Sequence, residues 1–251
     1  MLDISEIFGP TIQGEGRRVG RPSVFIRFAR CNFSCAGFAV EYVTPSGETK
    51  QGCDTYYAVD PCFKKQWQRS TTEQIIDRVE QLAADVNYPI DIVITGGEPL
   101  LFWKRKAFQA LLKHFVDLQH VVTIETNASL DIVFDQPFQQ NLVFSMSVKL
   151  LNSGEQARKR INLNALKTIL TSSQQSYFKF VVDKQNAEQC IEEIQRITSV
   201  LPITDVYLMA QGDTVSSLNK NDQAIIDLCI EHNYIYADRT HIRIWDDQRG
   251  V

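Results

Sequence analysis

From Ile90 onward the chain alternates short apolar runs with one-sided helical stripes, and that alternation leaves few folds open. Ile90–Thr95, Val121–Thr126, Leu142–Ser147, Tyr177–Val182, Val206–Ala210 and Tyr234–Ala237 read as strands. Between them lie helical patterns: the stripe Phe108, Leu111, Leu112 and Phe115, then about Gln156–Leu170, Ala187–Ile197 and Asn221–His232. Apolar strands joined by such helices through short loops are the pattern of a parallel sheet with crossover helices. Upstream, Leu2–Phe8 and Ser23–Ala29 read as two more strands. Ser70, with Glu73 three residues on, reads as a capping box that opens a helix with Ile75, Ile76, Val79, Leu82, Ala83 and Val86 inward. Six to seven strand–helix units are too few for an eightfold barrel. The expectation is an α/β fold, one domain over residues 1–251, built as a partial, open parallel β/α barrel. No internal repeat, low-complexity run or linker divides it.

In such folds chemistry collects at the C-terminal ends of the strands. Gly96-Gly97-Glu98, Glu125-Thr126-Asn127, Ser147 with Lys149, and Gln211 all fall at those ends, as does a cysteine-bearing loop after Arg27. Of six cysteines, Cys31, Cys35, Cys53 and Cys62 lie close together in sequence. Clustered cysteines in a cytosolic chain point to metal rather than disulfides. Three thiolates suit a 4Fe–4S cluster with one open iron, and zinc is the rival. Cys190 and Cys229 stand alone in helical patterns and read as small buried hydrophobes.

Composition excludes several classes. A formal net charge of −4 argues against nucleic acid as a partner. No apolar run approaches the roughly 20 residues that span a bilayer, so no membrane partner is expected. The N-terminus Met1-Leu2-Asp3-Ile4 shows no signal peptide, which fits a cytoplasmic protein.

Three segments admit two readings each. Gly9–Gly20, containing Gln13-Gly14-Glu15-Gly16, is a surface loop, or a backbone that approaches a flat ligand while Glu15 accepts its N–H donors. Arg27 falls on the strand face opposite Val24, Ile26 and Phe28, where it makes a structural ion pair or forks onto a substrate carboxylate. The seventeen residues from Ala36 to Gly52 carry Tyr42, Val43 and a Pro45-Ser46-Gly47 turn. They read as a hairpin or compact loop packed through Phe38, Val40 or Tyr42. It would wall the substrate pocket or form the reductant's docking surface.

The cysteine loop resembles that of radical S-adenosylmethionine (SAM) enzymes, whose usual spacing is C-x3-C-x2-C. Cys31 and Cys35 keep the first gap, and the insert displaces Cys53. More closely, the chain resembles the 7-carboxy-7-deazaguanine synthase family. It has, in order, Gln13-Gly14-Glu15-Gly16, Phe25-Ile26-Arg27, Cys53-Asp54-Thr55, Thr95-Gly96-Gly97-Glu98-Pro99 and Glu125-Thr126-Asn127. Any one motif is weak; the ordered set is specific.

The resemblance implies a carbon–nitrogen lyase of the radical SAM type, working in deazapurine (queuosine-type) biosynthesis. Reduced cluster would split SAM to a 5′-deoxyadenosyl radical. That radical would take hydrogen from C6 of 6-carboxy-5,6,7,8-tetrahydropterin, and the ring would contract with loss of ammonia. The implied cluster ligands are Cys31, Cys35 and Cys53. Thr55 would bind Mg²⁺. Ile12, Gln13, Gly14, Glu15, Arg27, Thr95 and His241 would bind the pterin. Gly97, Glu98, Ser147, Val148, Lys149 and Gln211 would bind SAM. The implied partners are an electron donor such as flavodoxin or ferredoxin and a second copy in a homodimer. The chain departs from the family pattern at Val148 and Ala210, where Pro is usual, and at Asp246, where Gly is usual. Two other classes remain: another radical SAM enzyme such as a glycyl-radical activase, and a zinc-binding interaction protein.

Overall fold

A computed structural model describes all 251 residues. The strands are β1 (Leu2–Ile12), β2 (Pro22–Phe28), β3 (Val40–Val43), β4 (Thr49–Gly52), β5 (Gln68–Ser70), β6 (Asp91–Gly96), β7 (Val122–Thr126), β8 (Val143–Met146), β9 (Tyr177–Val182), β10 (Val206–Ala210) and β11 (Ile235–Ala237). The α-helices are α1 (Tyr56–Val59), α2 (Thr72–Leu82), α3 (Lys106–Asp117), α4 (Ala157–Arg160), α5 (Leu163–Ser172), α6 (Ala187–Thr198), α7 (Val215–His232) and α8 (Thr240–Trp245).

Nine strands form one sheet in the order β11-β10-β9-β8-β7-β6-β2-β1-β5. β2 and β6 to β11 are parallel; β1 runs antiparallel to both β2 and β5. From β6 to β11 each new strand is added beside the last. Right-handed crossovers in that order keep the connecting helices on one face. Residue parity shows it. Ile26, Phe28, Ile92, Ile94, Ile124, Phe144, Phe178, Phe180 and Leu208 belong to the main 42-residue core. Their alternating neighbours Phe25, Arg27, Thr95, Glu125, Lys179, Val181 and Met209 face a cavity on the other side. The expected α/β class is present as a large, mostly parallel sheet. The sheet is open, with β5 and β11 as its edges.

Several boundaries differ from expectation. β1 runs on to Ile12, pairing Thr11 with Ser23 beyond a register shift, so the supposed loop from Gly9 is partly strand. Thr71, not Ser70, caps α2, and Gln74 rather than Glu73 completes the box, because Ser70 is taken up in β5 opposite Leu2. The helix expected over Gln156–Leu170 is two, α4 and α5; Asn162 caps the second by accepting from the Ala165 N–H. α7 starts at Val215, capped by Thr214, well before Asn221. α8 had no counterpart in the sequence reading. Asp246, just beyond it, has φ 52° and ψ −126°, a conformation that suits Gly far better. Its side chain accepts from the Val215 N–H at 2.8 Å, which gives the departure from Gly a structural use. No helix is long and apolar enough to cross a membrane.

Candidate active site

A cavity of about 570 Å³ opens at the C-terminal ends of the parallel strands. The insert roofs part of it. β3 and β4 pair as a hairpin, Val40 opposite Gly52 and Val43 opposite Thr49. Tyr42 stacks on Tyr56 with ring centroids 4.0 Å apart, and its hydroxyl donates to Asp60 at 2.9 Å. Phe38, Tyr42, Lys50, Gln51 and Gly52 line the cavity. Of the three packing candidates, Tyr42 is buried and Phe38 lies under the Arg239 guanidinium, 4.5 Å from its centre.

Cys31, Cys35 and Cys53 all line this cavity, and Cys62 does not. The hairpin returns Cys53 to its partners, and Gly37 makes the closing contact. Gly37 has φ +57°, and a Cβ there would lie 2.6 Å from the Cys53 Cα. The Phe33 N–H is aimed at the Cys31 sulfur at 3.4 Å. Burial pushes both the Cys31 and Cys53 thiols up to about 12, so each keeps its proton until a metal displaces it. No three potential ligands meet at a single point. A 4Fe–4S body does not ask for that, since each thiolate takes a separate iron. These residues fit such a cluster. Cys62 is exposed, and its sulfur lies 3.4 Å from Lys50 Nζ. Cys190 and Cys229 are buried in α6 and α7, as their patterns predict.

The hairpin's part can be tested by shortening Ala36–Gly52 to two residues. The expected result is failure to assemble a cluster, read by iron content. Loss of Gly37, Phe38 and Tyr42 removes the contacts that fix Cys53, although loop closure alone would favour the shorter chain by only about 0.6 kcal/mol per halving. A shortened chain that assembles its cluster and turns over as the parent does would show the hairpin to be dispensable.

Beside the cysteines, Gly97, Ser147 and Lys149 line the cavity, and Lys149 Nζ donates to Ser147 Oγ at 3.0 Å. The two glycines are demanded by packing. A Cβ on Gly96 would lie 2.1 Å from the Phe28 carbonyl oxygen, and one on Gly97 would lie 2.0 Å from that of Arg30. The other three expected SAM contacts, Glu98, Val148 and Gln211, do not line the cavity. Glu98 is fully buried and accepts from Leu100 N–H, Thr126 Oγ1–H and Asn127 N–H at 3.0, 2.6 and 2.7 Å. It staples the β6 loop to the β7 loop instead of facing a ligand, and burial raises its pKa. Val148 is buried in the main core. Gln211 points to the Gly37 carbonyl at 3.5 Å.

Ile12, Gln13, Gly14, Glu15, Arg27, Thr95 and His241 also line the cavity. Arg27 donates through Nε to Glu6 at 2.6 Å, and the Tyr57 hydroxyl donates to the same Glu6 oxygen at 2.8 Å. Glu6 thus orients the guanidinium, and its terminal nitrogens stay available to a carboxylate. Glu125 accepts from Gln13 Nε2 at 3.2 Å and from Thr95 Oγ1 at 2.8 Å. Gly14 lies against His241, whose Nδ1 would be 2.0 Å from a Cβ there, and the Thr240 N–H donates to the Gly14 carbonyl at 2.9 Å. α8 therefore holds the Gln-Gly-Glu-Gly turn. Thr55 also lines the cavity, its Oγ1 3.2 Å from the Cys53 sulfur.

Two residues that tie this group together were missed in the sequence. Lys179 donates to Glu15 Oε2 and lies 3.7 Å from Glu125. Arg239 donates to Glu15 Oε1 and to Asp54 Oδ2, both at 2.9 Å. Burial alone would raise the Glu15 pKa, but Lys179 and Arg239 outweigh it and hold the carboxyl well below its usual range. Burial lowers the His241 pKa, and the Glu15 charge only partly opposes it, so the ring is neutral near pH 7. Lys179 was legible in principle: it stands alone in Tyr177-Phe178-Lys179-Phe180-Val181-Val182, on the face opposite Phe178 and Phe180. Arg239 offered only its place before Thr240 and His241.

Comparisons with known proteins bear on the family and the fold. Residues 12–175, which contain the cysteine loop, match a family described as a 4Fe-4S single cluster domain, in favour of iron–sulfur over zinc. A 7-carboxy-7-deazaguanine synthase of Rhodopirellula baltica is 31% identical over 261 residues, covering 100% of this chain and 89% of that protein. One from Halobacterium salinarum is 29% identical over 266 residues, covering 98% and 91%. The crystal structure of QueE from Escherichia coli shares the fold, with a TM-score of 0.62 at 20% identity, covering 96% of this chain and 94% of that one. The chain belongs to the 7-carboxy-7-deazaguanine synthase family.

Proposed function

We propose that the cavity binds 6-carboxy-5,6,7,8-tetrahydropterin beside SAM and converts it to 7-carboxy-7-deazaguanine and ammonia. One observation carries this reading: three cysteines and the charged groups Glu15, Arg27, Lys179 and Arg239 share one cavity. Cys31, Cys35 and Cys53 would hold a 4Fe–4S cluster, which when reduced would supply the one electron for cleavage of SAM. The protein's own work is orientation and exclusion of water.

Each residue's part follows from its place. The terminal nitrogens of Arg27 fork onto the pterin carboxylate. Glu15, kept ionised, accepts the N–H donors of the pyrimidine ring, and Gln13, Thr95 and neutral His241 frame its edge. Ser147 and Lys149 take the methionine carboxylate, and the Gly97 carbonyl takes its ammonium. Thr55 would offer Mg²⁺ one neutral oxygen, a ligand type that suits this hard ion. Glu98, Val148 and Gln211 support this end from behind. The open sheet curves around the ligands as a partial barrel, the chain pairs as a homodimer, and a flavodoxin- or ferredoxin-type donor reduces the cluster.

Anaerobic incubation with SAM, a reductant and the pterin, followed by mass spectrometry, tests the reading. The expected product loses one ammonia and appears only with all components. An intact cluster that cleaves SAM without consuming the pterin would point instead to another radical SAM activity. Within this reading, Arg27→Lys weakens pterin binding by roughly 10- to 100-fold, because an ammonium cannot reproduce a two-pronged grip. SAM affinity stays at the parent value. A change in SAM affinity with unchanged pterin affinity would assign Arg27 to the wrong ligand.

A further inference from the structure

A second group of charges sits outside the cavity. Arg30, Lys64, Arg69 and Arg105 line a recess with Trp67, and Asp3 is the one carboxylate among them. Asp3 is buried and already pairs with Arg30 at 2.7 Å and with Arg69 at 3.8 Å. The cations reach into solvent: the Arg30 side chain is 48% exposed and that of Arg69 72%. The result is a positive face on a chain whose formal net charge is −4. Like charges gathered this way repel in the free protein, and an anionic partner relieves them. Trp67 gives the recess a fixed aromatic side, its indole N–H held by the Tyr57 carbonyl at 2.8 Å.

The backbone ties this face to the cluster loop. Arg30 immediately precedes Cys31 and has φ 78°, uncommon for a residue with a side chain. That left-handed step sends the Arg30 side chain out to Asp3 while Cys31 lines the cavity. The turn is fixed on both sides. Arg30 N–H donates to the Ala58 carbonyl at 2.7 Å, and the Arg30 carbonyl accepts from Glu98 N–H at 2.8 Å. The recess and the first cluster thiol are thus neighbours in the chain, facing apart. A cavity of about 570 Å³ admits small molecules and not a protein, so a protein donor must approach from outside.

We propose that this recess docks an acidic one-electron carrier protein, which reduces the cluster from the Cys31 side. The inference rests on the function proposed above, which needs a reductant. One electron leaves the reduced carrier and enters the cluster; no covalent bond forms or breaks.

The test uses the cluster-loaded enzyme and a purified acidic flavodoxin. Lys64→Glu with Arg69→Gln removes positive charge at two positions that line the recess and not the cavity, without setting a second carboxylate against Asp3. The flavodoxin Kd at low salt rises by about tenfold or more, and its salt dependence flattens. Turnover with dithionite stays at the parent value, and the thermal transition stays in place. An unchanged flavodoxin Kd and salt slope in the double variant would overturn the proposal. So would inorganic phosphate that fills the recess without displacing flavodoxin, which would make it a small-anion site. If the parent forms no product with dithionite, the proposed function fails, and the titration still reads the recess on its own.

Discussion

Cys31→Ala, Cys35→Ala and Cys53→Ala each lose the iron–sulfur cluster and all turnover, while Cys62→Ala keeps both. The separation is geometric. The first three side chains line one cavity, whereas Cys62 is exposed beyond it with Lys50 against its sulfur. A cluster bound by three thiolates has no spare ligand, so each loss leaves two irons without a protein partner. Cys53 is the sharper case, because its position depends on the hairpin and on Gly37 rather than on a short loop. Iron and sulfide analysis of each purified variant, with thermal unfolding to confirm the fold, decides it. Cluster loss in Cys62→Ala with retention in Cys53→Ala would reverse the assignment.

The parts legible in the sequence were those set by local periodicity. Alternation placed Arg27 on the face away from Ile26, and the strand ends marked Thr95 and Glu125; all three line the cavity. The hairpin showed in the Thr44–Glu48 turn, where the Thr44 N–H donates to the Glu48 carbonyl at 2.8 Å. What stayed hidden depends on contacts far apart in sequence. Glu98 resembles a ligand-facing acid by its motif, yet its carboxylate is spent on three donors, two of them from Thr126 and Asn127. Ser70 lost its capping role to Thr71 because β5 pairs with β1, where Ser70 lies opposite Leu2 near the start of the chain. Arg239 reaches Glu15 across 224 positions, and nothing in its neighbourhood announces that partner.

Lys179→Met is expected to weaken pterin binding by about 100-fold while leaving SAM binding intact. Lys179 is nearly buried, joined to Glu15 and 3.7 Å from Glu125. Without it the two carboxylates face one another, and Glu15 keeps Arg239 alone as a close-bonded cation. Removing one member of a buried pair costs about 3–5 kcal/mol, and the open cavity lets water or a proton offset part of that. A proton gives the test its sign. The Glu15 pKa is held well below its usual 4.5. The stabilisation it brings is therefore complete above that value and is lost as pH falls below it. The Lys179 pKa is raised above 10.5, by Glu125 and Glu15 against burial, so its stabilisation persists until alkaline pH. In the parent, pterin affinity is flat from about pH 5 to pH 9 as far as this pair decides it. In Lys179→Met the Glu15 pKa climbs, and affinity falls on the acid side at a higher pH than in the parent. Lys179→Arg restores the charge and much of the flat profile. SAM affinity is expected not to move, because none of the proposed SAM contacts Gly97, Ser147 and Lys149 bonds to Lys179 or Glu15. A merely structural lysine would lower the melting temperature without shifting the acid limb. A Lys179→Met enzyme with the parent's pterin affinity and pH profile would show that Glu15 needs only Arg239.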